Sequence, residues 1–219
     1  REVVCTEETA DSCTPVENSA AAVTWYNGWY VVNGNVTISE PITVSGEVNL
    51  ILADGCTLDA QKGIVVTTGN SLTIYAQSGG TGTLTATGTT DSSNNASAGI
   101  GGSTSSFDSG TITIHGGAIN ATGGSTDSIG YGGAGIGGGT PNYGNGGSSG
   151  AITIYGGTVT ANSGEGGLTG AGIGGGGGEE GGTSSNITIY GGSVTAASID
   201  TSTGGAGIGG GSGFTRGGG

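Results

Sequence analysis

The chain has 219 residues, 55 of them glycine, with 9% charged residues and a formal net charge of −13. With 3 Lys and Arg against 16 Asp and Glu, it lacks the basic surface that neutralises phosphate, so nucleic-acid binding is excluded. A collagen period would need Gly at every third position and abundant Pro, and disorder would need few β-branched residues; this chain has 3 Pro and recurring short runs of Thr, Ile and Val. What remains is a repetitive β protein whose turns consume the glycine. No apolar run reaches the ~18 residues of a membrane-spanning helix, so no membrane insertion is expected. No signal-peptide pattern is present, and Arg1 reads as the start of a mature or trimmed chain.

Residues 1–24 are polar and acidic and carry Cys5, Cys13 and Pro15. They read as an N-terminal arm or cap, distinct from a solenoid over residues 25–219. Cys5, Cys13 and Cys56 are an odd number with no CxxC or metal-ligand spacing. One reading is an intrachain disulfide with the third thiol buried, as in secreted proteins. The other is an arm that reaches a neighbouring molecule and cross-links it. Trp25, Tyr26, Trp29 and Tyr30 form the one dense aromatic cluster. It reads either as a cap on the first coil or as a platform for a sugar ring.

Residues 25–97 read as tighter N-terminal coils, with Val31, Val36, Ile38, Ile42, Val44, Val48, Leu50, Leu52 and Leu58 facing inward. Residues 98–219 read as Gly-rich repeats of 35–40 residues. Three segments there align closely, starting at Thr111, Ala151 and Asn186, each with an Ile-Thr-Ile run followed by paired glycines. Ser71–Tyr75 with Gly82–Ala86 is a degenerate copy. A second motif, Ala-Gly-Ile-Gly-Gly, begins at Ala98, Ala134, Ala171 and Ala206, with spacings of 36, 37 and 35 residues. Self-similarity at this period marks a solenoid. Each unit holds about three short strands, because alternation places Ile152 and Ile154 on one side and Thr153 and Tyr155 on the other. The expected fold is therefore all-β, a parallel β-helix with Gly-rich turns.

In such a stack, like residues lie about 4.8 Å apart on adjacent coils. The first strand then builds an outward column of Tyr75, His115, Tyr155 and Tyr190, which reads either as a glycan-stacking strip or as rings that stabilise adjacent coils. The second strand points Thr83/Thr85, Ala118/Asn120, Thr158/Thr160 and Ser193/Thr195 outward, a pattern that also fits an ice-binding surface. The third strand turns Gly99, Gly135, Gly172 and Gly207 outward. That bare face either lies under crowded loops or lets another chain approach closely. No polar cap follows the last Ala-Gly-Ile-Gly-Gly unit, which reads either as a piece of a longer solenoid or as an open end that stacks head-to-tail on another molecule.

The Trp29–Ile38 stretch, Leu50-Ile-Leu-Ala-Asp-Gly-Cys-Thr-Leu58, Leu72-Thr-Ile-Tyr-Ala-Gln-Ser78 and the Ala-Gly-Ile-Gly-Gly units resemble the Gly-rich right-handed β-helix regions of surface and secreted proteins from anaerobic Gram-positive bacteria. The resemblance covers roughly Trp29 to the end. It implies a right-handed coil similar to that of pectate lyases, an extracellular or cell-surface location and, for some relatives, carbohydrate binding. Pectate-lyase chemistry would need clustered acids for calcium beside a basic group. Lys62 is the one internal cation before Arg216, and the nearby Asp54-Gly55 reads as a turn. No catalytic site, cofactor or metal site is therefore expected, and no calcium motif is present. The expected function is a structural or adhesive solenoid that assembles with copies of itself, with polysaccharide binding as the alternative.

Overall fold

A computed structural model describes residues 13–199 and 203–219. Cys5, with the rest of residues 1–12, lies outside the described residues. The described chain is all-β and solenoid-like, without helix, and its named strands pair in parallel. The repeat dictates this. Each Ile-Thr-Ile run is too short to bury its apolar side alone, so it pairs with the same run one repeat away.

The pairing is in phase. On the first face, Leu72 lies opposite Ile112, Ile112 opposite Ile152, and Ile152 opposite Ile187. Ile74, Ile114, Ile154 and Ile189 follow the same path two residues on. On the second face, Val36, Leu58, Leu84, Ile119, Val159 and Val194 form one inward column. On the third, Val23, Ile42, Ile64, Ile100, Ile136, Ile173 and Ile208 form another. These columns meet in a single apolar core.

The first and third faces belong to one twelve-stranded sheet, and the reason is local. In the two N-terminal coils, Val23–Val32 and Ile42–Leu52 each run through both faces without a break. Ile42–Leu52 pairs with Ile64–Val65 through residues 42–43 and with Ser71–Ala76 through residues 47–52. The corner lies at Gly46, whose φ of +87° turns the strand. Later coils break this strand in two and insert chain between the halves. The stacking period of the third face accordingly lengthens from 19 residues (Val23 to Ile42) to 36 (Ile64 to Ile100).

One expectation needs correction. Val31 pairs with Ile51 on the outward side, and Val32 is the buried residue. Alternation in the run Trp-Tyr-Val-Val leaves the phase of its last two residues undecided until the partner strand is known. Glycine-rich stretches such as 137–150 and 174–185 are hydrogen-bonded along the stack. On one flank the amides of Gly139, Gly147, Gly176, Gly182, Gly211 and Gly218 donate in turn to the carbonyls of Phe107, Gly139, Gly147, Gly176, Gly182 and Gly211, at 2.8–3.0 Å. On the other, Gly124, Gly133 and Gly164 donate to Ser97, Gly124 and Gly133. Each ladder alternates between outgoing and returning arms of successive loops. A Cβ on Gly147, Gly176 or Gly182 would fall on a neighbouring carbonyl. Glycine here buys backbone contact, and the buried amides and carbonyls are thereby paired.

Candidate functional site

The outward column of the first face is a continuous stack of rings. Tyr75, His115 and Tyr155 lie 4.7 Å apart, centroid to centroid, with planes within 3° of parallel, and Tyr190 follows at 4.9 Å and 8°. Trp29 extends the stack to Tyr75 at 5.3 Å and 30°. Ile51 holds the column's position in the second coil. It is only 1% exposed although it points outward, because Trp29 leans across that coil towards Tyr75.

This geometry decides what the column can do. Within it, each ring face is covered by the next ring, and edges are what reach solvent. Stacking on a pyranose needs an open face, which the interior rings Tyr75 and Tyr155 lack. Tyr190, 69% exposed, has one face uncovered. The stack adds roughly 0.5–1.5 kcal/mol per pair beyond area burial. Burial between its neighbours pushes the His115 imidazole below its ordinary pKa.

The N-terminal aromatic cluster divides in two. Trp25 pairs with Val44 and Tyr30 with Leu50, both inward columns. Trp25 is 2% exposed and stacks on Tyr30 at 5.2 Å, across the end of the core. The Tyr30 hydroxyl accepts a hydrogen bond from the Tyr26 amide. Cys13–Pro15 pairs with residues 29–31, Val16 is buried, and Ser19 bridges to Ile38. These groups close the N-terminal end. Tyr26, 64% exposed, and Trp29 point the other way.

Of the two readings of the third face, the geometry fits the one in which the chain itself covers the glycines. Gly99, Gly135 and Gly172 are buried. A Cβ on any of them would lie within 2.9 Å of backbone atoms of this same chain, from Thr122, Asn162 and Ala197 respectively. Gly207 faces Ala196 in the same way. The close approach that glycine permits is used internally. Beside them, Gly101, Gly137, Gly174 and Gly209 share φ values of +131° to +139°. At the first three, a Cβ would strike the carbonyl of the next glycine in the column.

Cys56 is a free, buried thiol on the edge of the core, 8% exposed, with Sγ 3.8 Å from the Asp54 carbonyl oxygen. Little of its surface is open to a neighbour. Comparison with protein-family models, curated proteins and solved structures finds no match. The site must therefore be read from its chemistry alone.

Asp54 is the loop anchor that the Asp-Gly turn implied. Its carboxylate accepts from the amides of Thr81 and Gly79 and from the Thr81 hydroxyl, and these bonds, led by the Thr81 amide, hold its pKa below the ordinary value. Lys62 pairs with Glu40, not with Asp54 or Asp59, at 2.7 and 2.9 Å. Among the described residues no group of three His, Cys, Asp or Glu is placed to hold a metal ion.

The second face carries the most regular array. Asn35, Thr57, Thr83, Ala118, Thr158 and Ser193 form one outward column, and Thr37, Asp59, Thr85, Asn120, Thr160 and Thr195 form the next. Alanine, asparagine and aspartate interrupt both. Sequence reasoning missed a concave site on the third face, where Pro41, Thr43, Lys62, Val65 and Thr67 meet Thr89, Ser97 and residues 103–106. Only the uneven hydroxyl density of 103–106 hinted at it.

Proposed function

We propose that this chain is a stretch of right-handed parallel β-helix from an extracellular or cell-surface protein, and that its work is structural and adhesive. It acts as a rigid rod that assembles with copies of itself. The observation that carries this reading is the in-phase stacking of like residues, as in the column Val23, Ile42, Ile64, Ile100, Ile136, Ile173 and Ile208. Seven levels on the third face, at about 4.8 Å each, give a rod roughly 30 Å long.

The two ends differ. Residues 13–19 and Trp25 cover the N-terminal end. At the other, Ile189 and Ile208 are 41% and 45% exposed, and among the described residues no strand pairs with the outer edges of Ile187–Ile189 and Ser193–Ala197. A head-to-tail fibre would have to displace the N-terminal cover.

Light scattering behind size-exclusion chromatography tests this, with negative-stain microscopy of the same fractions. Elongated assemblies are expected. A monomer at all concentrations in the unsubstituted chain would refute the assembly.

A further inference from the structure

Two of the chain's 7 tyrosines are held in contact by the repeat itself. Tyr155 and Tyr190 each follow an Ile-Thr-Ile run, and those runs pair in register, Ile152 opposite Ile187 and Ile154 opposite Ile189. The Tyr190 amide then donates to the Ile154 carbonyl at 2.8 Å, which carries the register through to the tyrosines. In-register parallel strands stack identical side chains on one another. The two phenol rings accordingly lie 4.9 Å apart, centroid to centroid, with planes within 8° of parallel.

Among the described residues this is the one pair of phenol rings stacked on each other. Tyr75 lies between Trp29 and His115, Tyr30 stacks on Trp25, and Tyr131 meets Phe214 edge-on. Both members of the pair reach solvent, Tyr155 at 48% and Tyr190 at 69% exposed. Each is followed by two glycines, so neither of the next two positions carries a side chain that would stop the ring from turning.

We propose that Tyr155 and Tyr190 are a site of oxidative coupling, which joins them as dityrosine and staples two adjacent coils. The co-reactant is a one-electron oxidant, supplied by a peroxidase with hydrogen peroxide. Each phenol loses one electron and its hydroxyl proton. The unpaired spin spreads to the ring carbons ortho to oxygen, and the two radicals join there in one C–C bond. The hydrogen on each bonded carbon leaves as a proton, and a proton returns to each oxygen, which restores both phenols. One hydrogen peroxide takes up the two electrons and two protons released and becomes two waters.

Position selects this pair. Radicals held side by side need no encounter, whereas radicals on separate chains must meet by diffusion. Tyr26 and Tyr143, 64% and 79% exposed, are as open to an oxidant but have no phenol ring stacked on them. Chains that each carry a net −13 also repel one another. The link closes the chain between Tyr155 and Tyr190 into a loop and, like a disulfide, restricts the unfolded state. The inference is independent of whether copies of the chain assemble.

Treatment of the full chain with a haem peroxidase and hydrogen peroxide tests it, read by dityrosine fluorescence, intact mass and peptide mapping. A fluorescent monomer two hydrogens lighter is expected, and its yield per chain should hold on tenfold dilution. Cleavage after glutamate separates the two tyrosines, because Glu165, Glu179 and Glu180 lie between them, and should recover their peptides linked. Tyr155→Phe and Tyr190→Phe keep the stacked ring and remove one phenol; each should lower the yield tenfold or more, while Tyr75→Phe should leave it at the parent level. Before oxidation both variants should melt within a few degrees of the parent, which separates loss of the site from loss of the fold. After oxidation the parent should melt about 4–16 °C above Tyr190→Phe treated in the same way. Absence of dityrosine, dityrosine that survives both substitutions, links formed only between chains, or equal melting after oxidation would overturn the proposal.

Discussion

Gly137→Ala should cost far more than Gly55→Ala, and the difference isolates how closely the coils approach. Both glycines have positive φ, +131° and +73°. A Cβ on Gly55 meets nothing within 4 Å, whereas one on Gly137 would fall on the Gly174 carbonyl of the next coil. At Gly55 the penalty is the left-handed conformation alone, about 1–2 kcal/mol. Gly137 adds the cost of pushing two coils apart. Backbone strain of about 1–3 kcal/mol and overpacking of about 1–3 kcal/mol give about 2–6 kcal/mol. At roughly 2–4 °C per kcal/mol for a chain of this size, Gly137→Ala should melt about 5–20 °C below the parent and Gly55→Ala only a few degrees below. Thermal denaturation followed by far-ultraviolet circular dichroism reads both. Equal shifts would mean that the glycine column does not press coil on coil, and the account of the third face would fail.

Other expectations follow from single positions. Ile154→Ala, emptying a fully buried column position, should cost about 2–5 kcal/mol in the same melts. His115 has a folded pKa below its unfolded value of about 6.5; the unfolded chain therefore takes up the proton first, and stability should decline as pH falls through that value. His115→Phe should keep the ring stack and remove that part of the pH dependence. Asp54 and Asp91 have folded pKa values below the ordinary carboxylate value; their contribution is present above about pH 4 and lost as pH falls below it. Asp54→Asn should flatten the acid limb of a stability–pH curve. Cys56 should resist thiol reagents in the folded chain and react at the rate of unfolding, as timed absorbance with a disulfide reagent would report.

The repeat made the core columns legible before any coordinates. Ile112, Ile152 and Ile187 sit at like positions of near-identical segments, and the structure stacks them. The ring column was legible for the same reason. What escaped was whatever depends on contact between different parts of a coil. The cover over Gly99, Gly135 and Gly172 comes from the second face and leaves no periodic mark, because glycine has no side chain to alternate. The glycine ladders pair backbone with backbone, and that pairing carries no residue-type signature beyond glycine itself. Trp25 and Trp29 stand four residues apart, yet a register shift between Tyr26 and Gly28 sends one inward and one outward. The cleft below Ser103–Ser106 exists because insertions begin at one coil and not the one before, a difference in length and not in motif.

The burial of one column shows where the stability of each coil comes from. Ile112, Ile114, Ile152 and Ile154 are 0% exposed, while Ile187 is half-buried and Ile189 is 41% exposed. These residues have the same chemistry, the same strand and the same inward direction. They differ in whether a further strand lies beyond them. On the third face Ile173 is 0% exposed and Ile208 is 45%. At about 25 cal/mol per Å² of apolar surface, a residue left this open forgoes a large part of the roughly 1.5–3 kcal/mol that full burial supplies. A coil therefore takes much of its stability from the coil stacked on it. This is why the cover that residues 13–19 and Trp25 lay over the first coils matters to the coils beneath them.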